Sequence, residues 1–144
     1  MPMAVPILVD TNIWIYALTD YTEKGDKARE ALSVMSEGNF LILAPLQVMK
    51  ELGRVLLDKM KLEEDEVLSI LENFSRSVSF IAESPLDITT AVELRKRYGY
   101  LDYFDAIIIA TALNNGVELV LSEDVPSPDR ISFSCKEVRV INPL

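Results

Sequence analysis

Apolar residues along this chain fall into two patterns: short unbroken runs, and longer stretches in which every third or fourth position is apolar. Val5-Pro6-Ile7-Leu8-Val9 is a run of the first kind and predicts a strand buried on both faces. It ends at Asp10-Thr11-Asn12, residue types that cap helices, and Ile13 to Leu18 then begins a helix. Asp26 to Glu37 predicts a second helix, with Ala28, Ala31, Leu32 and Met35 on one face and Gly38-Asn39 as its stop. Phe40 to Ala44 predicts a second buried strand. Pro45 suits the first turn of the next helix, which carries Val48, Leu52, Val55 and Leu56 on one stripe and runs to about Lys59.

Glu63 to Phe74 predicts a further helix whose acidic first turn favours the macrodipole. Val78 to Ala82 is a third strand, and Asp87 to Tyr98 a helix closed by Gly99. Phe104 to Asn114 is nearly all apolar and predicts a buried central helix closed by Gly116. Val117 to Leu121 and Val138 to Ile141 complete the strands, the last followed by Pro143. Short, wholly apolar strands alternating with helices predict a parallel sheet covered on both faces. In such sheets ligands bind at the carboxyl ends of the strands.

The length of 144 residues and a 49% hydrophobic content fit one domain with a real core, spanning residues 1–144. The single Cys135 leaves no intramolecular disulfide and no cysteine-based zinc site, and a reducing, cytoplasmic setting is expected. Met1 to Pro6 has no signal-peptide pattern. The longest apolar stretch, Ala106 to Leu113, falls far short of the ~20 residues that span a bilayer, so no membrane association is expected. Histidine is absent. Serine-hydrolase triads, His-ligated zinc and histidine phosphotransfer are therefore excluded, and any catalysis falls to carboxylates, hydroxyls, lysines or a metal. The net charge of −9 argues against non-specific coating of nucleic acid. It leaves a nuclease open, because bound Mg²⁺ reverses the local sign of a carboxylate cluster.

Four carboxylates qualify for such a cluster. Asp10 follows the first strand and Asp124 follows the fourth, both at the carboxyl edge of the sheet. Asp105 lies in the first turn of the buried helix. Glu51 lies on the Pro45 helix, about 40° round from Val55 and so at the margin of the apolar stripe. Four carboxylates brought together need protons or a cation. Hard oxygen ligands without histidine or thiolate suit Mg²⁺ or Mn²⁺. Such a site supports phosphodiester hydrolysis, the metal activating water and stabilising charge on the phosphate.

Each residue also has an ordinary reading. Asp10 equally fits a helix cap, and Glu51 alone reads as a solvated helix residue. Asp102 and Asp105 have the spacing of a capping-box-like pair, with Asp102 expected as the cap and Asp105 as the functional residue. Asp124 alone fits a turn, and Glu123 competes with it. With 23 acidic residues in the chain, spacing by itself is a weak signal.

The wording around these residues strengthens it. Leu8-Val9-Asp10-Thr11-Asn12, followed by Ile13-Trp14-Ile15-Tyr16-Ala17, resembles the opening motif of PIN-domain proteins. Gln47 to Leu52 resembles their second motif, Tyr103 to Ala112 the third and Leu119 to Asp124 the fourth, while Val140 to Leu144 is similar to the end of VapC-type toxins. The resemblance covers essentially the whole chain in the right order. It implies a three-layer α/β/α sandwich and Mg²⁺- or Mn²⁺-dependent endoribonuclease activity of a toxin restrained by a small cognate antitoxin, commonly as a homodimer. Carried over by position, it makes Asp10, Glu51, Asp105 and Asp124 the acidic cluster. Asp10, Asp105 and Asp124 become the metal ligands, and Thr11 and Ser122 hydroxyl helpers that orient carboxylates or water. Asp102 stands where many relatives have a small hydroxyl residue, so it adds a fifth carboxylate or merely caps. The loop Val125 to Glu137 matches no pattern; it shapes substrate or partner contact, or is a neutral surface insertion.

Arg95-Lys96-Arg97 reads as the basic end of a surface helix. Lys50 and Arg54 flank Glu51 and are candidates for phosphate contact. Trp14, Tyr16, Tyr98, Tyr100, Tyr103 and Phe104 offer aromatic faces, but aromatics beside apolar runs usually belong to cores or interfaces, and none is assigned to RNA. Ile13 to Leu18 and the helix from Asp26 are candidates for a dimer or antitoxin groove. The competing reading is a non-catalytic PIN-like module that binds a partner or RNA, although every expected acidic position is filled. A haloacid-dehalogenase-type phosphatase needs an Asp where Asn12 stands. A phosphate-receiving domain needs an acidic neighbour that Asp10 lacks. A nucleotide fold needs a glycine-rich first turn that does not follow the first strand.

Overall fold

The apolar runs form strands, and two helices separate each of the first four strands from the next. The computed structural model describes residues 3–123 and 130–144. In chain order these residues form β1 (Val5–Val9), α1 (Thr11–Thr19), α2 (Glu23–Glu37), β2 (Phe40–Pro45), α3 (Gln47–Arg54), α4 (Glu64–Ser77), β3 (Ser79–Ile81), α5 (Pro85–Arg97), α6 (Tyr103–Asn114), β4 (Leu119–Leu121), β5 (Arg130–Phe133) and β6 (Lys136–Ile141). A π-helical turn over Val55–Lys59 prolongs α3. Among the described residues, no helix is long and apolar enough to cross a membrane.

The sheet runs β3-β2-β1-β4-β6-β5 and is parallel except for the edge pair β5–β6. Side chains alternate across it, and that alternation assigns the helices to layers. Leu8, Leu43, Val120, Val138 and Val140 pack on one side with residues of α5 and α6. Ile7, Val9, Ala44 and Leu121 face the other side, against Ile13, Val48, Leu52, Val67 and Phe74. The result is the expected three-layer α/β/α sandwich. In α6, Ala106 and every residue from Ile108 to Leu113 is buried, as its unbroken apolar sequence requires.

Caps fix where the helices start. Ser84 and Asp87 form a full capping box at α5: the Ser84 amide donates to Asp87 Oδ2 at 2.8 Å and the Asp87 amide to Ser84 Oγ at 3.3 Å. Asp87 is buried, and Asn114 Nδ2 donates to its other oxygen at 2.7 Å, tying α5 to the end of α6. The α1–α2 corner is equally tight. A Cβ on Gly25 would lie 1.9 Å from the Asp20 carbonyl oxygen, so only glycine fits there. Arg29 donates to the Ala17 and Asp20 carbonyls, at 3.1 and 2.7 Å, and satisfies the end of α1.

Two expectations are corrected. Pro45 does not open a helix. It is the last residue of β2, paired with Ile81, and the ladder bond passes to the Leu46 amide, which donates to the Ile81 carbonyl at 3.0 Å. The helix begins at Gln47 instead. Residues 130–137, expected within a patternless loop, form β5, a tight turn and the start of β6. Phe133 pairs with Lys136, so the hairpin loop is only Ser134-Cys135, with φ of 49° and 64°. Two-residue loops of this kind favour Asn-Gly, because both positions need positive φ.

Ser-Cys is a strained choice for that turn, since left-handed backbone costs a non-glycine residue about 1–2 kcal/mol. The double substitution Ser134→Asn, Cys135→Gly is expected to stabilise the protein by about 1–2 kcal/mol. A urea titration checks this: the midpoint should rise with an unchanged slope, and an unchanged or lower midpoint would show that the turn carries no such strain.

Candidate active site

Strand order reverses between β1 and β4: the chain moves outward through β2 and β3, then returns to the far side of β1. Such a reversal opens a crevice at the carboxyl ends of the two strands. Val9 pairs with Leu121, and the Asp10 amide donates to the Leu121 carbonyl at 2.8 Å. Asp10 and Ser122 therefore leave the sheet side by side. The Thr11 amide donates to Asp10 Oδ1 at 2.7 Å, and the buried Ser122 hydroxyl donates to Asp10 Oδ2 at 3.0 Å. Asp10 caps α1 as expected, and the same carboxylate lines the crevice.

The crevice holds about 400 Å³. Asp10, Glu51 and Asp105 all line it, joined by Asp102 and Glu83. Among the described residues that line it there is no lysine or arginine. Its other wall is apolar, built from Leu8, Ile81, Ile107 and Ile108. Asp102 is the cap of α6, accepting from the Asp105 amide at 2.7 Å. Asp105 is half-buried one turn further in. Glu51, on α3, also lies at the crevice, and the Arg54 guanidinium contacts its Oε2 at 2.9 Å. Thr11 lines the crevice as well. Glu83, two residues past β3, was missed by the sequence reading. Its signal is the one that marks Asp10, an acid just beyond an apolar strand, but β3 is only three residues long.

Asp124, expected as the fourth carboxylate, lies outside the described residues. Its competitor Glu123 does not line the crevice. Lys24 holds Glu123 Oε1 at 2.5 Å, and the Tyr16 hydroxyl donates to Oε2 at 3.0 Å. The Lys24 ammonium also lies 4.7 Å from the centre of the Tyr16 ring. Asn142 Nδ2 donates to the Glu123 carbonyl at 3.1 Å. Glu123 is thereby pinned to α1, to the start of α2 and to the C-terminal residues. The hydrogen bond from Lys24, aided by that from Tyr16, holds the Glu123 carboxyl below its usual 4.5.

Among the described residues, no three carboxylates form a group that could hold a metal ion by themselves. The donor chemistry nonetheless fits a hard divalent cation, with oxygen ligands and neither imidazole nor thiolate in the crevice. Of the other candidates, Arg95 ties α5 to the connection that follows it by donating from Nε to the Leu101 carbonyl at 2.9 Å, and Arg97 stacks over Tyr98. Lys50 is exposed beside Glu51. Trp14 is buried edge-on against Phe74, and Tyr98 is bonded to the Ser132 backbone. Phe104 differs from both: it lines the crevice and is 77% exposed.

The sequence model of the PIN domain matches residues 7–125. No curated protein matches the chain. Solved structures with the same fold include the VapBC2 complex of Rickettsia felis bound to a promoter DNA fragment, with 19% identity, TM-score 0.64 and coverage of 96% of this chain and 98% of that one. A toxin–antitoxin complex of Klebsiella pneumoniae has 25% identity and TM-score 0.62 over the same shares of the two chains. The sarcin–ricin-loop-cleaving toxin VapC20 of Mycobacterium tuberculosis has 17% identity and TM-score 0.58, covering 79% of this chain and 86% of that one.

The depressed Glu123 carboxyl has a consequence for acid stability. Its ion pair stabilises the fold at pH values above 4.5, and that contribution is lost as pH falls through the lower folded value. Urea midpoints measured from about pH 7 to pH 3 should show a constant gap between wild type and Glu123→Gln above about pH 5, closing below it. A gap that persists unchanged into acid would count against this pairing.

Proposed function

On the premise that the chain belongs to the PIN domain family, we propose that it is a metal-dependent endoribonuclease, the toxin of a toxin–antitoxin pair. The observation that carries this reading is Asp10, held by both oxygens at the strand-order reversal, in one crevice with Asp105 and Glu51. Asp10, Asp105 and Asp124 would hold the cation, Mg²⁺ or Mn²⁺. When bound, it would supply a more acidic water and stabilise charge on the phosphate and the leaving oxygen.

The protein's own groups do the rest. The Thr11 amide and the Ser122 hydroxyl fix the Asp10 carboxylate in one orientation at the wall of the crevice. Asp102 caps α6 and so fixes the first turn that carries Asp105. Glu51 borders the crevice from α3, where it would take the proton of the attacking water, and Arg54 restrains its side chain. The toxin–antitoxin complexes with this fold support a small protein partner that restrains the enzyme, and we extend the reading to a cytoplasmic homodimer.

Cleavage of a panel of single-stranded and structured RNAs tests the reading. With Mg²⁺ or Mn²⁺ the wild type should cleave, and EDTA should abolish the reaction. Asp10→Asn and Asp105→Asn should each lose about a hundredfold or more while keeping the wild-type circular dichroism. Folded wild type that cleaves nothing, or two variants as active as wild type, would overturn it.

Lys50 gives a second expectation. A phosphate contact at Lys50 means that Lys50→Glu weakens RNA binding at low salt and lowers the slope of log K against log salt by about 0.7. Identical slopes for variant and wild type would remove Lys50 from the substrate path.

A further inference from the structure

Phe104 occupies an unusual position for a large apolar side chain. It is 77% exposed, yet it lines the acidic crevice and stands next in sequence to Asp105. Full burial of a phenylalanine is worth ~1.5–3 kcal/mol, so this ring forgoes most of that gain. It is also held in place. Asp102 caps the helix two residues before it, and Ala106, two residues on, is wholly buried. The Tyr103 ring lies beside it, with centroids 5.6 Å apart and planes tilted by 59°. Ile107 and Ile108, three and four residues further along α6, continue the apolar wall from the ring into the crevice.

A phosphate approaching this crevice meets five carboxylates and no lysine or arginine among the described lining residues. Attraction from the crevice lining itself must therefore reach another part of the substrate. A nucleobase has flat, weakly polar faces, and stacking on an aromatic ring is tolerant of base identity. The base can reach such a ring only when it is not already stacked and paired within a duplex. We propose that Phe104 is a base-stacking residue that takes the face of an unpaired nucleobase flanking the scissile phosphate. This deepens the nuclease reading and rests on it, by naming the side chain that receives the base.

The test combines cleavage with binding. Wild type, Phe104→Ala, Phe104→Leu and Phe104→Trp are compared on a single-stranded oligoribonucleotide that contains every dinucleotide step. The same oligoribonucleotide is then used with single abasic nucleotides scanned along it. Binding is read by fluorescence anisotropy in Ca²⁺, and KM and kcat in Mg²⁺ or Mn²⁺. Phe104→Ala and Phe104→Leu should weaken binding and raise KM by about tenfold to a hundredfold, with kcat nearly unchanged, while Phe104→Trp keeps wild-type values. One abasic position should weaken wild type to the same extent and add nothing to the defect of Phe104→Ala.

The proposal is overturned if wild type does not bind the RNA, if Phe104→Leu equals wild type, or if the abasic and Phe104→Ala defects multiply. It is also overturned if Phe104→Ala changes only the sedimentation of the protein, which would assign the ring to an interface between copies. RNA binding that depends on Phe104 without any cleavage would leave the stacking role standing and remove the nuclease reading instead.

Discussion

The parallel pairing of β1 with β4 is the constraint on which the rest of this structure depends. Its register sets Val9 opposite Leu121, and so brings Asp10 and Ser122 off the sheet together. The same register turns Leu8 toward α5 and α6, and Ile7 and Val9 toward α1 to α4. A slip of one residue would exchange the two faces of β1 and separate the Asp10 carboxylate from the Ser122 hydroxyl. Core sealing and carboxylate placement are therefore one requirement. A substitution that shifted the register to repack the core would also move the carboxylate, which is why a buried apolar run ending in Asp carries so much information.

That coupling also explains what could be read from the sequence. The strands β1 and β4 were legible because consecutive residues on both faces are buried, Ile7 to Val9 in one and Val120 and Leu121 in the other, leaving apolar runs without alternation. The helix α6 was legible for the same reason. The capping role of Asp102 was legible from its spacing of three to Asp105, which lets the first accept from the amide of the second. Features that depend on distant partners or on backbone angles were not legible. Glu123 is joined to Tyr16 across 107 positions, and no local pattern marks that pair. The β5–β6 turn uses Ser134-Cys135 where Asn-Gly would have announced it. Pro45 looked like a helix opener because proline suits both a first helical turn and a strand end that needs no donor.

Glu123 illustrates how position and chemistry can diverge. It stands beside Asp124 and carries the same functional group, yet its carboxylate is engaged by Lys24 and Tyr16. It is also the point at which three separate parts of the chain meet: α1, the start of α2 and the C-terminal residues. Gly25 permits this, since the tight α1–α2 corner that it allows brings α2 in beside α1, with Lys24 near the Tyr16 ring. An acid at a strand end is thus a candidate for chemistry only when no cation from a neighbouring layer reaches it.

The distribution of cations carries the same logic to the substrate. The chain has 14 lysines and arginines against 23 acids. Several of those cations already have partners: Arg54 holds Glu51, Lys24 holds Glu123, Arg29 satisfies the end of α1, and Arg95 holds the α5–α6 connection. None of the described residues lining the crevice is basic. In the proposed reading, a polyanion entering such a place gains little from the residues that line it, so much of its affinity would come from a cation shared with the carboxylates and from apolar contact along α6. The first would act on the phosphate and the second on the base. An acidic protein that worked in this way would hold RNA at one nucleotide while repelling it elsewhere, which would favour a defined cleavage point over general adhesion.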